Sequence, residues 1–412
     1  MTIQLTRMSL KKVILVIVPL WVLIQVILIV HYWNYPLTGD TIIYNSLAED
    51  CFAKGLWYPY DSKGIIVAEP LVNSLILLLK LFGTLEVNKI LNLLMNIGVL
   101  WSVYEIAKSL FDKTTAFLSV IIFCLIYSNT VIIIGNRTEL PFVLFLLMAL
   151  ATIKPKLQNV IISGIMMGIA EWYRPLMPVF IPGLLLYMWY EKYEKKYYLG
   201  LFFSIALSIG CIGLFNKYNT DVFFINPSTG GANLFMTAND KAFGGTATHL
   251  LQDPDVVPVM PANYNALQQD SVYKELAKEW IREHPVKYTE LYIKKIFGLY
   301  IEDSWPDRAI MHSSGKLSKH VTDKDYVSLL HMASLMILKS IVYYLTLLLF
   351  VISIVNHRKK LFTSKGSLVL TFLLGTLTTC VFVVSPTYHY PYMFAIIIWA
   401  AYEIKCRYLH ID

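Results

Sequence analysis

Pro70-Leu-Val-Asn-Ser-Leu-Ile-Leu-Leu-Leu-Lys80-Leu-Phe-Gly83 is the stretch on which the topology of this chain turns. It is apolar but only roughly 14 residues long, where a membrane-crossing helix needs about 20. Longer apolar runs surround it, at 13–30 on one side and at about 88–107, 114–134, 139–153, 158–173, 176–190, 197–216, 328–355, 367–386 and 389–404 on the other. Whether 70–83 crosses decides which side of a bilayer receives every later connection. Charge settles the parity. If 70–83 stays on one face, Lys108, Lys113, Lys154, Lys156, Lys192, Lys195, Lys196, Arg358, Lys359, Lys360, Lys365, Lys405 and Arg407 all lie in the cytoplasm. If it crosses, all of them are exported, against the positive-inside bias. The expected architecture is therefore an all-α polytopic membrane protein with about ten spans, both termini cytoplasmic, and 70–83 lying on or dipping into the outer face.

Composition agrees with that class. Of 412 residues, 56% are hydrophobic and 15% charged, and mean hydropathy is +0.56, far from an ordinary soluble domain. The net charge of +7 is spread between apolar runs instead of gathering on a soluble face, which argues against a nucleic-acid partner. Five cysteines occur without any C-x-x-C, so neither a disulfide framework nor a thiolate metal site is indicated. The first run follows Arg7, Lys11 and Lys12 and ends in His31-Tyr-Trp-Asn34, with no small-residue cleavage site. It reads as an uncleaved anchor with an aromatic collar.

Three parts follow from this topology. Residues 1–216 form an N-terminal transmembrane module that includes a first outer loop, 33–87. Residues 217–327 are long enough for a small extracytoplasmic loop domain, and 328–412 hold the C-terminal transmembrane helices. Within the long loop, Asn226-Pro-Ser-Thr-Gly-Gly-Ala-Asn233 and Gly244-Gly245 are turn-forming. Ser271 to Tyr300 reads as a helix broken at Pro285. Its second piece sets Leu291, Tyr292, Ile296, Phe297 and Tyr300 against Lys287, Lys294 and Lys295, an amphipathic pattern expected along a membrane surface.

Polar residues at the outward ends of the spans are the informative ones, because charge at membrane depth costs a few kcal/mol. They are Asp40, Glu69, Arg137, Glu139, Glu171, Arg174 and His389. Each has a plain reading as well. Asp40, in Asn34-Tyr-Pro-Leu-Thr-Gly-Asp40-Thr-Ile-Ile-Tyr44, can be the N-cap of a helix over 41–54. Glu69 and Glu139 precede helices whose dipoles favour negative charge. Arg137 and Arg174 can snorkel to headgroup phosphates, and His389 can be an interfacial anchor. The sequon Asn136-Arg-Thr138 lies too close to the bilayer to be credited.

Taken in order, these stretches resemble a known family. Gly39-Asp40-x-x-x-Tyr44 followed by a helix and Gly55 is similar to the first outer loop of polyprenyl-phosphate-sugar-dependent glycosyltransferases of the type C fold. That family is related to protein O-mannosyltransferases and lipid A aminoarabinose transferases. Ala68-Glu69-Pro70, Gly135-Asn-Arg-Thr-Glu139-Leu-Pro-Phe142, Gly168-Ile-Ala-Glu-Trp-Tyr-Arg174-Pro and Glu283-His-Pro-Val-Lys-Tyr288 resemble later stretches of its members. Two departures stand out: Thr41 occupies the place of a second acidic residue, and Glu69 lacks an intervening Lys before Pro70. The resemblance implies inverting transfer of a sugar from a polyprenyl-phosphate donor to a lipid, glycan or protein acceptor at the outer face. It implies Asp40 as the general base, which would take the acceptor proton. Arg174 and Arg137 would then face the leaving phosphate, with Lys294 or Lys295 as weaker alternatives. Glu69 and Glu139 would position the partners of Asp40 or hold a divalent cation, a cofactor the sequence does not require. His389 would line the donor site. A bacterial plasma membrane is the expected location. Two other classes stay open, a polysaccharide polymerase or ligase of similar topology and a secondary transporter.

Overall fold

A computed structural model describes residues 7–58, 69–225, 229–261, 264–310 and 326–409. These residues are helical, with no strand among them. Helix α1 (Arg7–His31) turns Leu15, Val16, Leu23, Ile27 and Val30 outward and buries Trp21 and Gln25, as a lipid-facing span with one protein-facing stripe should. Helices α2 (Asp40–Ala53) and α3 (Glu69–Phe82) follow. They pack Ala48 and Cys51 against Leu71, Val72, Leu75 and Ile76 in a core of their own. Helix α4 (Val87–Leu110) then begins where α1 ended: Lys89 donates to the carbonyls of Tyr32 and Trp33 at 2.7 and 2.9 Å. The segment containing α2 and α3 thus leaves and re-enters the bundle at the same end, in agreement with a non-crossing 70–83.

The stretch expected as a single span over 114–134 is broken. Helix α5 (Lys113–Leu125) stops at extended Ile126, and α6 (Tyr127–Val131) with the turn Ile132–Ile134 continues at 71° to it. Free carbonyls at such a break are costly away from water; Asn129 donates back to the Phe123 carbonyl at 3.0 Å, and α4 supplies donors for the limb that follows. Asn92 donates to the Ile133 and Gly135 carbonyls at 3.0 and 3.1 Å. Asn96 donates to the Asn129 carbonyl at 2.5 Å and to Gln25 Oε1 at 2.8 Å. Asn88, Asn92 and Asn96 recur every fourth residue and so share one face of α4.

Helices α7 (Glu139–Thr152), α8 (Leu157–Tyr173), α9 (Ile181–Tyr190) and α10 (Lys195–Thr220) complete the first half. A Cβ on Gly164 or Gly168 would fall 1.9 Å from Ser204 Oγ or 2.3 Å from Ser208 Cβ, so α8 and α10 touch backbone to backbone, as small-residue pairs allow. The long connection holds α11 (Gly230–Phe235), α12 (Ala266–Glu283) and α13 (Pro285–Leu299), around Phe235, Ala238, Ala277, Trp280 and Leu291. The helix break at Pro285 falls where the sequence places it. After 326 come α14 (Tyr326–Asn356), α15 (Gly366–Thr379) and α16 (Met393–Tyr408). Helix α16 is buried all round from Met393 to Ala401, so it is the centre of the bundle.

Among the described residues four helices are long and apolar enough to cross a membrane, and the bent pair makes a fifth. The stretches 139–153, 176–190 and 367–386 are helical but shorter, with apolar helices at Glu139–Thr152, Met177–Tyr190 and Gly366–Thr379. A helix of about 14 residues rises only about 21 Å against a hydrocarbon core of about 30 Å. The two bundle ends are chemically distinct. At one end Lys405 meets Asp112 at 3.0 Å, and Glu403 accepts from Asn356 and Arg407 and contacts His357. The other end gathers the residues described next.

Candidate active site

Helix α2 opens at Gly39, whose φ of 67° lies where only glycine sits without strain. Asp40 is the first helical residue and not the cap: Gly39 occupies the cap position, and no side-chain capping bond is made there. Its carboxylate is exposed beside the positive end of the helix dipole. One turn on, the Tyr44 hydroxyl is held protonated: burial, Asp40 and Glu139 raise its pKa, outweighing Arg174, which lowers it.

Glu139 opens α7 after the turn 135–138 and is buried, 4% exposed. Arg174 follows α8 in extended conformation, in a turn closed by Glu171, whose carboxylate accepts the Met177 N–H at 3.1 Å. Arg174 Nη1 stands 2.6 Å from Glu139 Oε1, and its guanidinium lies 4.9 Å from the centre of the Tyr388 ring. Burial opposes the Arg174 charge, but Glu139 and the adjacent tyrosines more than offset it, and its pKa is raised. Tyr388 is likewise held protonated, by burial first and against the pull of Arg174.

These groups border a cavity of about 410 Å³, lined by Tyr44, Thr138, Tyr173, Arg174, Pro175, Leu176, Thr229, Gly230, Asn233, Thr379, Phe382, Val383 and Tyr388. Among the described residues the wall is aromatic and hydroxyl-rich, with one cation. Its far side is a joint between the long connection and the 379–388 segment. There Val383 N–H donates to the Asn233 carbonyl at 3.2 Å, and Tyr288 and Tyr292 hydroxyls donate to the Val381 and Leu377 carbonyls.

Arg174 lines this cavity with Glu139 braced against it, Asp40 lies one turn before the lining Tyr44, and two other expected residues sit behind the cavity. Arg137 is buried against Trp305, 5.2 Å from its ring centre, and its Nε has no hydrogen-bond partner among the described residues. His389, fully buried, bonds through Nδ1 to the Leu299 carbonyl at 2.9 Å. Its Nε2 is 3.5 Å from Asp303, and its ring stacks on Tyr343 and Tyr300. The cavity is lined instead by Tyr388, the residue before it. Glu69 begins α3, but its side chain lies outside the described residues.

Lys295 corrects the amphipathic reading of α13. It is 2% exposed while Phe297 is 72% exposed, so the helix is rotated from the expected face. Lys295 Nζ donates to the Val381 carbonyl at 3.3 Å and Thr237 Oγ1 at 3.4 Å, and lies 4.9 Å from the Tyr288 ring centre. Burial pulls its ammonium down to about 8, against about 10.4 in an unfolded chain. Between those values the unfolded chain binds more protons, so the fold gains stability as pH rises, and the cost of the buried charge is fully present below pH 8. We predict that the parent gains melting temperature relative to Lys295→Met between pH 7 and 9.5. Parallel pH responses of the two proteins would refute this.

Sequence reasoning passed over Glu302, Asp303 and Asp307, in Glu302-Asp-Ser-Trp-Pro-Asp307. Glu302 and Asp303 are buried; Asp303 accepts the Ser128 N–H at 2.9 Å, and Asp307 accepts from Tyr127 and Lys339. An acidic trio between two apolar helices was the available signal. Among the described residues no group of three or more His, Cys, Asp or Glu is arranged to hold a metal ion.

Residues 70–213 match the family model for dolichyl-phosphate-mannose-protein mannosyltransferase. No curated protein matches the chain in sequence. Among solved structures, the oligosaccharyltransferase AglB from Archaeoglobus fulgidus, in complex with an inhibitory peptide and a dolichol-phosphate, is similar with a TM-score of 0.50. At 13% identity the match covers 96% of this chain and 50% of that one. An A. fulgidus oligosaccharyltransferase complex with Zn and sulfate gives a TM-score of 0.47 at 14% identity, over 95% of this chain and 49% of the other. ArnT from Cupriavidus metallidurans bound to undecaprenyl phosphate gives 0.35 at 11%, over 93% and 77%. The chain thus spans about half the length of the oligosaccharyltransferases it matches. Family match and shared fold together bear out the resemblance read from the sequence, to the membrane glycosyltransferases of the type C fold.

Proposed function

We propose that this chain is an integral membrane glycosyltransferase that moves a sugar from a polyprenyl-phosphate donor to an acceptor hydroxyl or amine, with inversion, at the outer face. The observation that carries this is the cavity whose one lining cation, Arg174, is braced by buried Glu139, with Asp40 close enough to act on the same two tyrosines. Asp40 stays ionised at the helix N-terminus and takes the acceptor proton as the new bond forms. Arg174 faces the phosphate that leaves, and its fork can share itself between Glu139 and a phosphate oxygen. Tyr44 and Tyr388 offer O–H donors and ring faces to the sugar. The dolichol-phosphate named in the AglB complex is a lipid of the class proposed as donor.

The same reading includes about ten spans, counting the short helices as crossing, and the basic bundle end in the cytoplasm of a bacterial plasma membrane. It also includes the division into 1–216, 217–327 and 328–412. The test is a panel of polyprenyl-phosphate sugars offered to the purified protein with lipid, glycan and peptide acceptors, reading release of polyprenyl phosphate. Donor-dependent release supports the proposal. Absence of release across the panel, with solute uptake into sealed vesicles, would instead mark a transporter.

A further inference from the structure

We infer that Asn136, with Asn88 and Asn45 on either side of it, is the positioning residue that sets Asp40 against the Glu139–Arg174 pair. The inference rests on the reading of Asp40 as the base. Asn136 lies three residues before Glu139 in the turn that opens α7, and it is 3% exposed. Its side chain is used in both directions: Oδ1 accepts from Asn88 Nδ2 at 2.6 Å, and Nδ2 donates to Asn45 Oδ1 at 2.6 Å. Its carbonyl also accepts from Thr41 Oγ1 at 3.4 Å. Thr41 is the neighbour of Asp40, and Asn45 lies just over one turn further along α2.

Helix α2 is also held by apolar contact of Tyr44, Leu47, Ala48 and Cys51 with the core it shares with α3. Such contact is non-directional, so it tolerates sliding and rotation. Hydrogen bonds are directional and strengthen in a dry interior. The register of the first turn of α2, which carries the base, is therefore set by Asn136. Asn92 and Asn96 serve the broken backbone beside it, whereas Asn88 reaches past the break to the amide that holds α2. The juxtaposition also places the Asn136-Arg-Thr138 sequon inside the protein, where no glycan can be attached.

Displacing a reacting group by about 1 Å can cost about 100-fold in rate. Asn45→Leu and Asn136→Ala should each lower kcat by about 10- to 100-fold and leave the donor KM near the parent value, because Arg174 is untouched. Asn45→Asp keeps the accepting oxygen and should retain most of kcat. A role in folding alone would not separate these two Asn45 variants in this way. Should Asn136→Ala fail to accumulate, the Asn45 pair, on a half-buried position of α2, carries the test. Equal losses in Asn45→Leu and Asn45→Asp, or a raised donor KM at constant kcat, overturn the inference. An inactive Asp40→Asn beside fully active Asn45→Leu and Asn136→Ala overturns it alone. A fully active Asp40→Asn overturns the base assignment and this inference with it.

Discussion

Asp40→Asn is expected to lower transfer by about 10²- to 10⁴-fold, the range ascribed to a positioned general base, while membrane insertion and yield stay at the parent level. Stability should barely move, because the carboxylate is exposed and Asn can occupy the first helical turn. What is lost is the proton acceptor at the acceptor hydroxyl or amine. The substitution also removes a charge that raises the pKa of Tyr44 and Tyr388, which moves both hydroxyls toward easier ionisation without bringing them near neutral pH. Radiolabelled-sugar transfer on protein matched for detergent-extracted yield reads the outcome. Near-normal turnover would sink the assignment.

Second in size is the Glu139–Arg174 pair. Both partners are largely buried and 2.6 Å apart, so removing one leaves the other charged without a partner, at a cost of about 3–5 kcal/mol. We predict that Arg174→Met and Glu139→Gln each lower the unfolding free energy in that range. The double variant Arg174→Met/Glu139→Met should recover most of the loss, because two matched apolar side chains can replace a buried pair at little net cost. Activity should behave otherwise. Loss of Arg174 removes the cation from the cavity wall and should weaken donor binding as well as turnover, and the double variant should stay inactive despite its restored stability. Recovery of activity in the double variant would mean that the pair is only structural. Thermal unfolding and donor titration, run on the same preparations, separate the two effects.

Much of this arrangement was legible in sequence because it rests on strong signals. Charge parity around Pro70–Gly83 anticipated a segment that begins and ends at one end of the bundle, and Lys89 on Tyr32 and Trp33 is its physical counterpart. Asp40, Glu139 and Arg174 stood out as charges at the ends of apolar runs. What was hidden depends on partners far along the chain. The 71° break at Ile126 lies inside a run apolar enough on both sides for hydropathy to read straight through it; Ser128, Asn129 and Thr130 within it and the fourfold spacing of Asn88, Asn92 and Asn96 are the signals that mark it. Lys295 was placed on the wet face of α13 because a helical stripe counts residues and not neighbours. Besides Tyr288 on its own helix, its actual neighbours, Thr237 and Val381, come from two other segments. Arg137 and His389 share a bundle end with Arg174, yet Trp305 and Asp303, both tertiary partners, draw them behind the cavity.

The broken span bears on how the protein is made. Carbonyls of its second limb, those of Asn129, Ile133 and Gly135, are satisfied by Asn92 and Asn96, which precede the break in the chain, and the Phe123 carbonyl at the break accepts from Asn129 within the span itself. As synthesis proceeds from the N-terminus, the donors for the second limb are therefore already in the membrane when it emerges, so its carbonyls need never face lipid unprotected. A chain lacking these donors should instead hold 113–134 as one straight, apolar helix. We expect Asn92→Leu/Asn96→Leu to shift cysteine labelling at the 135–138 turn away from the parent pattern in nascent chains truncated after α7. An unchanged labelling pattern would show that the bend forms without its upstream template.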